Sequence, residues 1–472
     1  LAQPLKVGRV ISTTPPRAFH FLGICGSAMG AVAAMLRDQG FTVTGSDEHV
    51  YPPMSTFLEE KGIRIQAGYK PENLPSDDVI LVVGNTIKRG NPELEAALEA
   101  KRFYLSLPET LKNYFLHRTH NLVVTGTHGK TTTTSLLAWI FEYAGRKPSY
   151  FIGGLPKNLP QGCTKQDSPY WILEGDEYDT AFFDKRSKFL HYLPELVIIN
   201  NLEFDHADIF DDLAAIQKSF SHLVRIVPRN GMVLVNADEP NALAVVQDSP
   251  APILEVGFSE NAAVRIHEVK AHGQTQTFRL LETEFTLEMS GLFNVRNAAM
   301  AIAAAHFYQI PLPKIAEAVA KFEGVKRRQE IRGMVGGVTI IDDFGHHPTA
   351  MRETLRGLRQ QFSGQRIWAL FEPRSNTTRR AVFQKDLPAA LAVADGVFVA
   401  QVAALEQIPA AERLHPEQVV ADIKAAGVPA YYEPDADAIV ARLKPLLKEG
   451  DVVVVFSNGG FGGIHQKLLA QG

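Results

Sequence analysis

LVVTGTHGKTTTT, residues 122–134, is the stretch on which the reading of this 472-residue chain turns. The apolar, β-branched residues 122–125 predict a strand, residues 126–131 a loop, and residues 132–143 a helix. A glycine-bearing loop between strand and helix presents its backbone N–H groups, and the helix N-terminus adds more, so such a segment holds phosphate oxygens. Lys130 would reach the β- and γ-phosphates of a nucleotide, and the Thr131 hydroxyl would ligate Mg2+. Val124 stands where the long form G-x-x-x-x-G-K-[ST] has its first glycine, which leaves the shorter G-x-x-G-K-T. Gly126, Thr127, His128, Gly129, Lys130, Thr131 and Thr132 are the expected ATP-binding set.

Two polar clusters lie downstream, each just past an apolar run. Residues 170–174 run into GDEYD, and Glu174 is read as a Mg2+ ligand, direct or through water. Residues 196–200 run into NLEFDH; His206, beside Asp205, is read as a second metal ligand or a substrate-positioning group. An acidic, solvated loop is the plain alternative for the first cluster and a structural histidine for the second. The phosphate loop upstream favours ligation for the first; for His206 the residues alone favour the structural reading.

Upstream, a βαβ unit is expected from residues 19–23, 28–39 and 41–45. Its turn, Gly23-Ile-Cys25-Gly26-Ser27-Ala-Met-Gly30, lacks G-x-G-x-x-G spacing, and Ser46-Asp47 ends its second strand, with Asp47 21 residues after Gly26. The spacing suits a nucleotide diphosphate without indicating NAD. Residues 104–120 read as a helix and connector closing this block. Downstream, an alanine-rich helix in SGLFNVRNAAMAIAAAHF precedes a helix and linker at residues 309–330 that carries Arg327 and Arg328. A third block has strands at 338–341, 367–371, 396–400 and 451–456, with Asp342-Asp343-Phe-Gly-His346-His347-Pro348 after the first of them. The fold class is therefore α/β in three domains: a Rossmann-like N-terminal domain (1–119), a central P-loop ATPase-like domain (120–325) and a C-terminal Rossmann-like α/β domain (326–472).

Composition sets the bounds. Hydrophobic residues make up 45% and charged residues 21%, with a net charge of −4, which is ordinary for a globular chain and argues for no nucleic-acid or membrane partner. No apolar run approaches the roughly 18 residues of a membrane span. Two cysteines make no disulfide framework, and LAQPLKVGRVIS has no signal-peptide core, so a cytoplasmic location is expected.

TGTHGKTTT, EGDEYD, NLEFDH, GLFNVRNAAMA, GVKRRQE and DDFGHHP, in this order, together resemble the Mur ligase family. The resemblance spans nearly the whole chain and implies ATP and Mg2+ as cofactors, with Thr131, Glu174 and His206 as metal ligands. It also implies Asn294 against adenine, Arg328 or its neighbour Arg327 on the γ-phosphate, and Asp342 or Asp343 on the ATP ribose. Lys130, Glu174, His206 and Arg328 are the implied catalytic group. GICGSAMGA and DDFGHHP point to the muramate-accepting branch, so UDP-N-acetylmuramate is the implied sugar substrate, bound by Gly23, Cys25, Gly26, Ser27, Ser46 and Asp47. Residues 178–192, 200–228, 371–377 and 456–469 look like the members that add the cell-wall tripeptide L-Ala-γ-D-Glu-meso-diaminopimelate rather than free L-alanine. Arg186 and Arg374 are expected to offer positive charge to that peptide, and His346 and His347 are counted with them as substrate-binding residues, in a cluster that could also face the nucleotide. Some relatives carry a carbamoylated lysine after the D-H pair; here the register falls on Phe220 or Ser221, with Lys218 nearby, and no such modification is expected. The rival classes are a P-loop ATPase switch and a nicotinamide oxidoreductase.

Overall fold

Strand-forming runs of Val, Ile, Leu and Phe build three sheets in which nearly every neighbouring pair is parallel, each dressed with helices. The computed structural model describes residues 18–402, 405 and 408–470; residues 1–17, which hold the segment read above for a signal peptide, lie outside the described residues. The chain clusters into two compact units, residues 1–115 with 179–185, and residues 116–178 with 186–472.

In the first unit five parallel strands run in the order Arg64–Ala67, Thr42–Asp47, Ala18–Leu22, Ile80–Val83, Tyr104–Ser106. The order reverses beside Ala18–Leu22, so the glycine turn that follows this strand opens at the crevice where such sheets bind ligands. The expected βαβ unit is present, its helix spanning Ser27–Asp38. Residues 104–120 differ from the reading above: Tyr104–Ser106 is an edge strand and the helix is Leu107–Tyr114. Ser106 and Glu109 form a capping box there, and Pro108, which cannot donate to a ladder, stops the strand and opens the helix. Residues 179–185 pack with this unit; Asn85 Nδ2 donates to the Asp179 carbonyl at 2.8 Å, and the rings of Tyr104 and Phe183 meet edge to face.

The second unit contains an eight-stranded sheet with His120–Thr125 near its middle, flanked by Leu196–Ile199 and Tyr170–Glu174. All its pairs are parallel except the terminal one, Ser149–Phe151 with Cys163–Thr164. The helices Lys130–Tyr143 and Leu292–Phe307 pack on it with an almost wholly buried face of leucine, isoleucine and alanine. The β-rich region expected near 253–290 divides: Ile253–Gly257 and Val264–Arg265 extend the large sheet, and His267–His272, Thr275–Leu280 and Thr283–Leu287 form a separate antiparallel sheet.

The same unit holds a six-stranded sheet. Its first strand is not at 338 as expected but at Glu330–Val335, antiparallel to Val338–Asp343. The alternation of half-exposed residues with Gly333 hid this edge strand in what reads as linker. Asp342 and Asp343, expected after a strand, are its last two residues, paired in register with Val455 and Phe456. No helix among the described residues is long and apolar enough to cross a membrane.

Candidate active site

The phosphate loop leaves His120–Thr125 with Gly126 at φ +127° and enters the helix Lys130–Tyr143 through Gly129 at φ +80°. A Cβ on Gly126 would meet the Asn201 backbone at 3.0 Å, and one on Gly129 would lie 2.3 Å from Asn297 Oδ1, so only glycine fits either place. Asn201 braces the loop from the next strand's end: its Oδ1 accepts from the His128 N–H at 2.8 Å and its Nδ2 donates to the His128 carbonyl at 3.1 Å.

Lys130 lies along the loop. Its Nζ donates to the Gly126 carbonyl at 2.7 Å and to both oxygens of Glu177 at 3.0 and 2.8 Å. Burial pulls its pKa down, but the charge and hydrogen bond of Glu177, with Asp176 and Glu174 nearby, outweigh that and raise it. Thr131 Oγ1 donates to Glu174 Oε1 at 2.9 Å, and the Gly153 N–H donates to Glu174 Oε2 at 2.7 Å. Burial is the main influence on the Glu174 carboxyl and raises its pKa. Thr132 is buried in the helix's first turn.

His206 sits at φ +55°, a backbone conformation that side-chain-bearing residues seldom adopt. Its Nε2 is 3.0 Å from Glu177 Oε1, and its N–H donates to Asp205 Oδ1 at 2.7 Å. Burial opposes its protonation, yet Glu177, Asp205 and Asp176 prevail and raise its pKa to about 9. Asp176, Glu177 and His206 converge closely enough to hold a cation. The three ligands read from the sequence thus stand in two oxygen-rich groups, Thr131 with Glu174, and His206 with Asp176 and Glu177, and Lys130, next to Thr131 in the chain, bonds Glu177 of the second.

The linker brings two arginines to different places. Arg328 Nη2 approaches Thr131 Oγ1 at 3.4 Å, whereas Arg327, at φ +61°, turns to Asp342 at 3.2 Å and to the Ser457 and Gly459 carbonyls at 2.7 and 2.8 Å. Of the pair, Arg328 is the one at the phosphate loop. Asn294 is buried; its Nδ2 donates to the Ser290 carbonyl at 2.8 Å and faces Gln329 Oε1 at 3.4 Å. Asp343 accepts from the Gln329 and Gly345 N–H groups at 2.9 and 2.7 Å, and burial raises its pKa. Asp342 is buried too, but His465 and Arg327 overcome that and lower its pKa.

His347 is enclosed. Its Nδ1 accepts from the Thr349 N–H at 3.2 Å, its Nε2 faces the Phe204 carbonyl at 3.3 Å, and its ring packs 4.4 Å from that of His128. Burial, then the neighbouring His128, push its pKa down to about 3. Both ring nitrogens are spent within the protein, so the expected substrate contact is not available to it in this arrangement. His346 is more open, with Nε2 3.8 Å from Asp205. Arg374 is half-exposed, 3.6 Å from Glu372, its stem lying over Gly459. Arg186 is exposed in the strand Asp184–Ser187. Lys218 is exposed on the helix Leu213–Arg225, where Phe220 is fully buried.

In the first unit the glycine turn closes on the next strand. Gly23, at φ +86°, and Ile24 donate to the Ser46 carbonyl at 2.8 and 3.1 Å, and Asp47 Oδ2 accepts from the Cys25 N–H at 2.9 Å. Burial, then Asp47, raise the Cys25 thiol to about 11. Gly26 precedes the helix that Ser27 begins. Beneath the turn, the buried Glu93 takes Ser46 Oγ at 3.0 Å, His20 Nε2 at 2.8 Å and Asn73 Nδ2 at 2.9 Å.

Glu177, Asn201, Glu203 and Glu93 were not singled out from the sequence. Glu177 and Glu203 lie inside motifs that were quoted, but past a strand end the two-residue alternation is lost. Nothing in sequence then says which of several adjacent carboxylates points inward.

Three family models cover the chain in order: Mur ligase family, catalytic domain, at residues 18–119; Mur ligase middle domain at 124–305; and Mur ligase, glutamate ligase domain, at 327–459. A Haemophilus influenzae protein named UDP-N-acetylmuramate–L-alanyl-γ-D-glutamyl-meso-2,6-diaminoheptandioate ligase is 44% identical over 95% of this chain and 98% of its own. The Escherichia coli protein of that name is 42% identical over 95% and 97%. The crystal structure of a murein peptide ligase from Psychrobacter arcticus superposes with a TM-score of 0.71 at 36% identity, covering 96% of this chain and 98% of that one. With this likeness running the length of the molecule and through the phosphate loop, the chain belongs to the Mur ligase family.

Proposed function

We propose that this protein is an ATP-dependent ligase that joins L-Ala-γ-D-Glu-meso-diaminopimelate to UDP-N-acetylmuramate in murein recycling. The observation that carries the reading is 44% identity, over nearly all of both chains, to a protein named for that reaction. In this reading residues 1–119 bind the UDP-sugar through Gly23, Cys25, Gly26, Ser27, Ser46 and Asp47. Residues 120–325 bind ATP, and residues 326–472 cover the nucleotide and receive the peptide through Arg374 and His346. Asn294 faces adenine and Asp343 or Asp342 the ribose. ATP use and the absence of a disulfide framework favour the cytoplasm as its location.

The lactyl carboxylate attacks the γ-phosphorus of ATP; the new O–P bond forms as the bond to the β-γ bridging oxygen breaks, and ADP leaves. The peptide's α-amine then attacks the acyl carbon, phosphate departs with the C–O bond's electrons, and the nitrogen loses a proton. Activation is needed because phosphate is a far better leaving group than hydroxide. In the first step two anions meet. Lys130 and Arg328 stabilise the charge spreading over the transferring oxygens. Thr131 with Glu174, and His206 with Asp176 and Glu177, have the oxygen and imidazole donors to hold Mg2+, which when bound neutralises phosphate charge. The linker around residues 323–330, where Arg327 and Gln329 both have positive φ, is the hinge of this scheme, and closure over it shields the acyl phosphate from water.

The deciding assay supplies UDP-N-acetylmuramate and Mg-ATP with either the tripeptide or free L-alanine and follows ADP release and amide product. The tripeptide is expected to be strongly preferred; preference for free L-alanine would refute the reading. Lys130→Ala should lower ligation and ADP release together by at least about 100-fold, and near-normal turnover in that variant would sink the assignment of the phosphate loop.

A further inference from the structure

The side chain of His128 meets Glu203, its Nε2 2.7 Å from Glu203 Oε2. Glu203 grips the loop a second time through its backbone: its N–H donates to Thr127 Oγ1 at 2.8 Å, and Thr127 Oγ1 donates to its carbonyl at 3.2 Å. The other carboxylate oxygen, Oε1, accepts from Thr349 Oγ1 at 3.0 Å, and His347 Nδ1 lies 3.4 Å from Oε2. Thr349 is the second residue of the helix Pro348–Gln361, which follows the strand Val338–Asp343 of the six-stranded sheet. Glu203 therefore touches two consecutive residues of the phosphate loop's turn, Thr127 through its backbone and His128 through its carboxylate, and the same carboxylate reaches the first turn of a helix from the C-terminal sheet. The contacts are short and shielded, the Glu203 side chain being 29% exposed and His347 8%. A hydrogen bond to an ionised acceptor is stronger than a neutral one, so this joint has the strength to set a loop conformation.

We propose that Glu203 is a positioning residue for nucleotide binding: through it the helix Pro348–Gln361 holds Thr127 and His128, and hence their backbone N–H groups, in the conformation that receives phosphate. This rests on the reading of residues 126–132 as the ATP site. It differs from a simple brace within the central sheet in one respect. If the helix contributes through the carboxylate, removing the Thr349 hydroxyl must weaken nucleotide binding although Thr349 touches no residue of the loop in this network.

The test is calorimetric titration of the full chain with Mg-ATP, with steady-state kinetics beside it, for Glu203→Gln, Glu203→Ala, Thr349→Val and the double variant Glu203→Ala/Thr349→Val. The ATP Kd is expected to rise about tenfold in Glu203→Ala, and by smaller factors in Glu203→Gln, which keeps one acceptor, and in Thr349→Val. The double variant should be no worse than Glu203→Ala, because both changes break one joint. The KM for UDP-N-acetylmuramate should stay within about twofold throughout, a selectivity that general loosening of the fold would not produce. An unchanged ATP Kd in Thr349→Val, additive losses in the double variant, or equal losses for both substrates with a lowered melting temperature would each overturn the proposal. A wild-type chain that fails to bind Mg-ATP would overturn this proposal together with the ATP site. One that binds it without turning over muramate and peptide would refute the ligase reading while this proposal stands.

Discussion

Charge placement at single residues governs the centre of the molecule. Lys130, Glu177 and His206 form a chain of alternating charge inside the protein, and each shifted pKa follows from its neighbour. Glu203 gives a measurable consequence. Burial alone would raise its pKa, but the hydrogen bond and charge of His128 hold it at about 2, against 4.5 for a free carboxyl. A depressed carboxyl contributes stability that is present above the unfolded value and lost as pH falls through the folded one. The difference in unfolding free energy between wild type and Glu203→Gln is therefore expected to reach at most about 3 kcal/mol at pH 6 and to shrink between pH 4.5 and 2. Urea unfolding at pH 6, 4 and 3 measures it, and a pH-independent difference would contradict the ionic account. At this scale the sequence was legible where chemistry is tied to a pattern. Gly126, Gly129, Lys130 and Thr131 were readable as a set. Glu177 and Glu203 were not, because side-chain direction in an irregular loop depends on partners 29 to 146 residues away in the chain.

Elements follow hydrophobic pattern and local stop signals. The strands at 170–174 and 196–199 and the alanine-rich helix were readable because buried parallel strands are continuous apolar runs and an all-round apolar helix must be internal. The alanines of Leu292–Phe307 have a packing reason. Ala298, Ala299, Ala301, Ala304 and Ala305 are wholly buried, and the helix lies against Lys130–Tyr143, which carries the phosphate-loop lysine and threonine. Small side chains let the two helices approach, and Asn297 comes within a Cβ's reach of Gly129. Ala301→Leu should then destabilise the protein by about 1–3 kcal/mol through overpacking, read as a lower unfolding midpoint in urea; an unchanged midpoint would mean that the site has slack. Two strands that read as other structure, Tyr104–Ser106 as helix and Glu330–Val335 as linker, are both at sheet edges, where half-exposure blurs the apolar pattern that marks a central strand.

At the scale of the whole molecule, the proposed nucleotide site belongs to one compact unit that contains both the eight-stranded and the six-stranded sheets. A ligand that binds only the folded form stabilises it by mass action. Mg-ATP at about 100 times its Kd should add roughly 2.7 kcal/mol to that unit and raise its melting transition. The shift should be absent in Lys130→Ala, and differential scanning calorimetry with and without nucleotide checks both. Because the chain forms two units, two transitions are expected, of which only the one arising from residues 116–178 and 186–472 should move.

The amino-acid sequence by itself determined the α/β class, the phosphate loop with its lysine and threonine, the family and the order of its motifs. Local spacing carries the class and the loop, since a strand, a tight glycine turn and a helix N-terminus are specified by adjacent residues, whereas the family came from the resemblance of the six motifs taken together. Only the tertiary structure decided that Arg328 rather than Arg327 approaches the loop, that Glu177 links Lys130 to His206, that residues 179–185 join the first unit, and that His128 faces Glu203. Those choices depend on which strand ends and helix starts become neighbours when the sheets form, and no spacing along the chain encodes that.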